Sequence, residues 1–143
     1  MSSDRIVLKN DLSELRRMTQ WLWTAAASAG IAEAMVHKLD LAANEAVTNI
    51  ISYAFADAAR HEITLDLEKT GGGARLVIRD DGVPFNILAV PEHAVPATLE
   101  SAAIGGLGVH LIRGLTSRCE YQRENGFNVL MLETERELQT GNA

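Results

Sequence analysis

Hydrophobic and polar positions change period several times along this chain, and each change marks an element. Residues 6–9 lean apolar and predict a short strand, after which Asn10 or Asp11 is placed to cap a helix. Leu12, Leu15, Met18 and Leu22 recur at helical spacing, predicting an amphipathic helix over 12–29 that Gly30 ends. A second helix is predicted over 32–54, with Leu39, Ala43, Ala46, Val47, Ile50 and Ala54 on one apolar face. Over 61–69 the period shortens to two. Ile63, Leu65 and Leu67 point one way and Glu62, Thr64, Asp66 and Glu68 the other, the pattern of an antiparallel strand with one wet face. Gly71, Gly72 and Gly73 then make a hairpin connection into a strand over 75–81. The stretch 86–104 carries Pro91 and Pro96 and has weak periodicity; a loop that long inside a compact domain is usually functional or disordered. Residues 109–118 read as a helix, and 120–123 with 127–134 as a closing hairpin about the Asn125-Gly126 turn signal. The tail from Glu135 onward is polar and expected to fray. The order β-α-α-β-β-loop-α-β-β implies an α+β fold: a two-layer sandwich, one mostly antiparallel sheet with helices on one face.

Composition narrows the function. The 143 residues fit one domain spanning 1–143, with no repeats, and 47% hydrophobic residues suffice for a core. A net charge of -6 argues against non-specific nucleic-acid binding, which needs basic patches. No apolar run reaches the roughly 18 residues that would span a bilayer. The N-terminal residues carry no apolar signal core, which argues against secretion and for a cytoplasmic protein. One cysteine, Cys119, excludes an internal disulfide and an all-cysteine zinc site.

Three segments carry residues that are chemically odd for their positions. Glu45 and Asn49 are one helical turn apart on the second helix and share a face bordering the core. They read either as a metal–nucleotide site, with the Asn49 carbonyl oxygen on Mg²⁺ and Glu45 as a general base, or as a solvated helix edge. At the end of the 75–81 strand, parity turns Asp80 inward with Leu76 and Ile78 and turns Asp81 outward. An inward, acceptor-only carboxylate would be satisfied by an exocyclic amino group, which adenine offers and guanine does not at that place. Equally, Asp80 could cap the turn at Gly82. Gly105, Gly106, Leu107 and Gly108 immediately precede a helix, where backbone N–H groups can meet phosphate. The run is neither a Walker loop nor a G-x-G-x-x-G fingerprint.

Taken in order, acid-xxx-Asn on a helix, Asp-x-Gly after a strand, a long loop and Gly-x-Gly opening a helix, the chain resembles the GHKL ATPases (gyrase, Hsp90, histidine kinase, MutL). The layout from about Leu12 to Glu133 is most similar to the anti-sigma-factor serine/threonine kinases. Tyr53-Ala54, the Asp80-x-Gly-x-Pro-Phe run, Gly106 to Arg113, Glu120-Tyr121 and Asn128-Val-Leu add to that likeness. The resemblance implies a Bergerat-type ATP-binding fold with a mostly antiparallel mixed sheet. It implies ATP and Mg²⁺ as cofactors, Glu45 as catalytic base and Asn49 as Mg²⁺ ligand. It further implies Asp80 as the adenine-reading aspartate, Gly82 as a site of close approach, and Gly106 and Gly108 as phosphate contacts. The stretch 86–104 becomes a lid over the nucleotide. The implied partners are an anti-sigma-factor antagonist, phosphorylated on serine or threonine, a sequestered sigma factor and a second copy in a homodimer. Two positions depart from the broader pattern: Pro84 stands where glycine is frequent and Asn86 where aspartate is common.

Two rival functions remain beside this one: a non-catalytic, nucleotide-dependent regulator-binding module, and an orphan histidine-kinase-like catalytic domain. His61-Glu62 resembles a phospho-acceptor pair, but it begins a strand and no long helical hairpin precedes it. His37, His61, His93 and His110 have no metal spacing with one another or with Cys119. Trp21 and Trp23 are expected in the core or at an interface rather than stacked on a ligand.

Overall fold

Strand alternation decides which face the helices cover. The computed structural model describes residues 3–89 and 107–135. Its strands are β1 (Ser3–Lys9), β2 (Glu62–Lys69), β3 (Gly73–Asp80), β4 (Arg118–Glu124) and β5 (Phe127–Glu135). Its helices are α1 (Leu15–Ala29), α2 (Glu33–Tyr53) and α3 (Leu107–Leu115), with 3-10 turns at Leu12–Glu14 and Ile87–Ala89. The five strands form one sheet in the order β1-β2-β3-β5-β4, and every pairing is antiparallel. Ile6 and Leu8, Ile63, Leu65 and Leu67, Leu76 and Ile78, and Leu130 and Leu132 all point to one face and are buried there under the helices. The result is the α+β two-layer arrangement that the period changes predict.

The opposite face is held by charge. Glu68, Arg75, Glu133 and Arg118 stand opposite one another across β2, β3, β5 and β4. Arg75 reaches Glu133 at 2.7 Å and Glu68 at 3.2 Å, which accounts for a carboxylate as buried as Glu133 on the wet side.

Helix α1 starts later than its apolar spacing suggests. Asp11 accepts a hydrogen bond from Ser13 N at 2.9 Å, but it caps the 3-10 turn, and Leu12 is 51% exposed rather than part of the buried stripe. Gly30 ends α1 in the left-handed conformation, φ 76°, its N–H donating to the Ala26 and Ala27 carbonyls. Neither tryptophan ring is exposed: both pack against the core, with Trp21 Nε1 donating to Asp4 and Trp23 Nε1 to Asp40.

All six apolar positions read on α2 are buried. Three of the buried α2 residues are alanines, Ala42, Ala43 and Ala46, and a fourth, Ala54, follows just past the helix, so the helix lies close to its neighbours. Burying each large aliphatic side chain such as Leu39 stabilises the fold by about 1.5–3 kcal/mol.

The third helix is shorter than the predicted 109–118 and β4 begins inside that range. Thr116 Oγ1 donates back to the Ile112 carbonyl at 2.8 Å, while Ser117 N and Oγ both donate to the Glu133 carbonyl. By Ser117 the backbone is already bound to β5. Asn125 (φ 51°) and Gly126 (φ 85°) turn β4 into β5 with the two left-handed residues that a tight hairpin demands. Glu135 is the last residue of β5 rather than the start of a tail, and 136–143 lie outside the described residues.

Candidate functional site

Glu45 and Asn49 lie on α2, which packs against α3 and against β3 and β5 of the sheet. Asn49 is 6% exposed, and its Nδ2 donates to the Glu45 backbone carbonyl at 2.7 Å. Anchoring the amide nitrogen leaves the carbonyl oxygen Oδ1 as the outward-reaching atom. Glu45 is half-buried, and its carboxylate makes no hydrogen bond or ion pair among the described residues. A solvated helix edge does not describe Asn49, which is in the core; it describes Glu45 only in part.

Asp80 ends β3 facing inward, 2% exposed, while Asp81 faces out. Asp80 Oδ1 accepts from Gly82 N at 2.8 Å and from Asn128 Nδ2 at 3.0 Å. The turn-capping role is therefore real, but it uses one oxygen. Oδ2 has no partner among the described residues. Asp80 is buried, so that oxygen has little solvent to turn to. Burial raises the Asp80 pKa above its ordinary value, and the hydrogen bonds from Asn128 and Gly82 oppose that rise. A carboxylate oxygen without a partner among the described residues, set in a poorly solvated wall, favours a ligand donor strongly.

Gly82 has a packing reason that the sequence does not show. A Cβ there would fall onto the Ala54 carbonyl, and Val83 N donates to that same carbonyl at 2.7 Å. The close approach is to the end of α2, about 7.5 Å along the helix axis from Asn49 at 1.5 Å per residue. It therefore locks the Asp80 turn against the helix that carries Glu45 and Asn49.

Of the glycine run, Gly105 and Gly106 lie outside the described residues. Leu107 and Gly108 form the first turn of α3, whose opening N–H groups have no acceptor within the helix. Most of the expected lid is also outside the described residues; its start is not. Asn86 Oδ1 accepts from Leu88 N at 2.9 Å, a task an aspartate would do equally, and Arg113 of α3 donates to the Leu88 carbonyl at 2.9 Å. The chain entering that stretch is thus tied to α3.

Asn128 enters the motif reading only within the Asn128-Val-Leu run, with no role at the site. It lies 3% exposed on β5 and fills its hydrogen-bonding capacity: Nδ2 donates to Asp80 Oδ1 and to the Val83 carbonyl, and Oδ1 accepts from Phe85 N. Tyr121 Oη and Arg123 also donate to Oδ1, and Arg123 donates to the Gly82 carbonyl at 2.8 Å. The available signal is parity: Asn128 begins the inward series Asn128, Leu130, Leu132, Thr134 as a polar residue where the strand leaves the Asp80 turn.

Among the described residues no group of three or more His, Cys, Asp or Glu could hold a metal ion. The donor set at Asn49 is one amide oxygen, which fits Mg²⁺ completing its shell with water and phosphate oxygens, and does not fit a metal held by protein alone.

Comparison with known proteins gives concordant results. The family model of the histidine kinase-like ATPase domain matches residues 8–134. The chain is 34% identical over 94 residues to the serine/threonine-protein kinase BtrW of Bordetella bronchiseptica, a stretch covering 66% of each protein, just under two thirds of BtrW's own length. It is 27% identical over 110 residues to the serine-protein kinase RsbW of Listeria innocua, covering 74% of this chain and 70% of RsbW. A crystal structure of the RsbU and RsbW domains of a Mycobacterium tuberculosis protein superposes with a TM-score of 0.65 at 17% identity. That superposition covers 94% of this chain and 32% of the solved one, and shows the same fold.

Proposed function

This chain belongs to the histidine kinase-like ATPase domain family, and we propose that it binds Mg-ATP and transfers the γ-phosphoryl group to a serine or threonine of a small partner protein. The observation that carries the reading is the buried Asp80 carboxylate, one oxygen engaged by Gly82 and Asn128 and the other without a partner among the described residues. That oxygen accepts the exocyclic amino group of adenine, and a guanine carbonyl there would face it acceptor to acceptor. Asn49 Oδ1 is the protein oxygen that would hold Mg²⁺. Bound Mg-ATP supplies the transferable group and the neutralised charge on which such transfer mainly depends. The opening N–H groups of α3, at Leu107 and Gly108, meet the phosphates, a contact that the family likeness also gives to Gly105 and Gly106, which lie outside the described residues. Glu45, without a partner among the described residues and one turn before Asn49, accepts the proton of the incoming hydroxyl. An unengaged carboxylate at that place supports catalysis over mere nucleotide binding, which needs no base.

The partner chemistry follows the family likeness: an anti-sigma-factor antagonist as phospho-acceptor, a sigma factor held in the alternative complex, and a homodimer as the assembly. The kinase names of BtrW and RsbW support the transfer step. In an acidic chain of net charge -6 with a polyanionic ligand, the local positive field comes from backbone N–H groups and Mg²⁺ rather than from bulk attraction. The test is incubation with labelled Mg-ATP and the candidate antagonist, followed by mapping of the modified residue. Phosphoserine or phosphothreonine that vanishes in Glu45→Ala is the expected result. Tight ATP binding with no transfer to any cognate acceptor would leave only a nucleotide-dependent binding module, and phosphohistidine would point to the orphan histidine-kinase-like reading.

A further inference from the structure

The connection between α2 and β2 holds a three-residue arrangement that nucleotide binding leaves unused. His61 Nε2 lies 2.7 Å from Asp57 Oδ1, and His61 Nδ1 lies 3.0 Å from Asp81 Oδ1. An ionised carboxylate only accepts, so both contacts are hydrogen bonds only when both ring nitrogens carry protons. The seat of the ring is fixed. It stacks on Phe55 with centroids 4.6 Å apart, and the His61 backbone exchanges hydrogen bonds with Asn10 through His61 N to Asn10 Oδ1 and Asn10 N to the His61 carbonyl. Asp57 is fixed as well, accepting from Ala59 N at 3.0 Å.

What the clamp grips is the far side of the Asp80 turn. Asp81 follows Asp80 directly and points to the opposite face. Segment 80–83 is then held from three directions: by Asn128 from β5, by Ala54 at the end of α2, and by His61 through Asp81. We propose that His61 in its imidazolium form is a positioning residue for the Asp80–Gly82 turn, and that loss of its proton weakens adenine-nucleotide binding. This rests on the nucleotide-site reading given above.

The charged neighbours favour the imidazolium. Asp57 first, and Asp81 after it, raise the His61 pKa above 6.5, against the opposing effect of burial. Arg60 and Arg79 also line the open cavity beside the ring and disfavour a third positive charge; Glu62 there favours it. Asp57 and Asp81 are in direct contact and dominate by distance. Because the folded pKa is raised, the clamp is complete below 6.5 and is lost as pH rises through the folded value. The neutral ring keeps one N–H. The shorter Asp57 contact retains it, and Asp81 then faces a nitrogen lone pair and is released.

The test combines NMR titration of the His61 ring with ADP affinity measured calorimetrically from pH 6 to 9, for the wild type, His61→Gln and Asp81→Asn. His61 should titrate above 6.5, and the Gly82 and Asn128 amide resonances should follow the same curve. Wild-type affinity should fall roughly three- to tenfold across that curve, less than the full value of one charge-assisted hydrogen bond because His61 acts on the nucleotide only through the turn. Both variants should bind at the weaker level with the His61-linked step gone. An unchanged step in His61→Gln, or Gly82 and Asn128 amides indifferent to His61 titration, overturns the clamp. Absence of ADP binding in every protein at every pH instead overturns the nucleotide reading, and the amide titration still decides whether His61 positions the turn.

Discussion

Asp80 and Asn128 stand directly opposite each other on β3 and β5, and Asn128 Nδ2 donates to Asp80 Oδ1 at 3.0 Å. The pairing fixes which carboxylate oxygen remains available, because Oδ1 is already shared with Gly82 N. It also joins β5 to the 83–85 loop through the Val83 carbonyl and Phe85 N. Asn128→Ala would strand several buried polar groups at once and should destabilise the fold by about 2–3 kcal/mol, with nucleotide affinity falling too. Asn128→Asp removes the donor and sets two carboxylates face to face. The pair then holds a proton more tightly folded than unfolded, so this variant should recover stability as pH falls from 7.5 to 5. Urea denaturation at the two pH values checks both variants.

Asp80→Asn separates binding from folding. The amide is nearly isosteric, and its oxygen can still accept from Gly82 N and Asn128 Nδ2. The Asp80 pKa is raised by burial, so the wild type loses stability as pH rises from the ordinary carboxylate value through the folded one. The amide carries no such dependence. Thermal melts at pH 7.5 should therefore show the variant at or above the wild type, with the gap closing on acidification. Adenine-nucleotide affinity should drop by about 10- to 100-fold, the value of a hydrogen bond to a charged group. Retained affinity in calorimetry would remove Asp80 from the base-reading role.

Glu45→Gln should leave both stability and ATP affinity close to wild type, since the Glu45 carboxylate has no partner among the described residues to lose. Phosphotransfer should slow by about 10²- to 10⁴-fold, the usual contribution of a positioned general base. Single-turnover transfer from labelled ATP, run beside equilibrium binding, checks the split. A variant that transfers phosphate at the wild-type rate would take Glu45 out of the chemistry.

How far the sequence discloses this site depends on the range of the interaction involved. Parity along β3 places Asp80 inward and Asp81 outward because side-chain direction in a strand is local. Helical spacing brings Glu45 and Asn49 to one face for the same reason. The strand order β1-β2-β3-β5-β4 has no local signal, and with it the role of Asn128 goes unread, for that role exists only once β5 lies beside β3. His61 is similar: its neighbours in sequence suggest a phospho-acceptor, whereas its partners Asp57 and Asp81 meet it through the fold. Helix α3 ends before its apolar spacing predicts because Ser117 is drawn off by the Glu133 carbonyl, a long-range bond.

The glycines give the sharpest contrast between composition and geometry. Gly71, Gly72 and Gly73 look alike in sequence, yet a Cβ at Gly71 or Gly72 would meet nothing within 4 Å, whereas one at Gly73 would run into the backbone of Thr134 and Glu135 on β5. None of the three has the positive φ that favours glycine, so the hairpin needs space at one position rather than freedom at three. Gly71→Ala and Gly72→Ala should accordingly be within about 0.5 kcal/mol of wild type or slightly stabilising. Gly73→Ala should lose about 1–3 kcal/mol as β3 and β5 are pushed apart. Gly82→Ala faces a comparable clash with Ala54, but at the Asp80 turn. The two damaging variants should therefore differ in ligand response. Saturating ADP should raise the melting temperature of Gly73→Ala by as much as it raises the wild type, and of Gly82→Ala by much less. Equal ADP shifts in the two would show that contact between Gly82 and Ala54 matters to the fold and not to the base-reading turn.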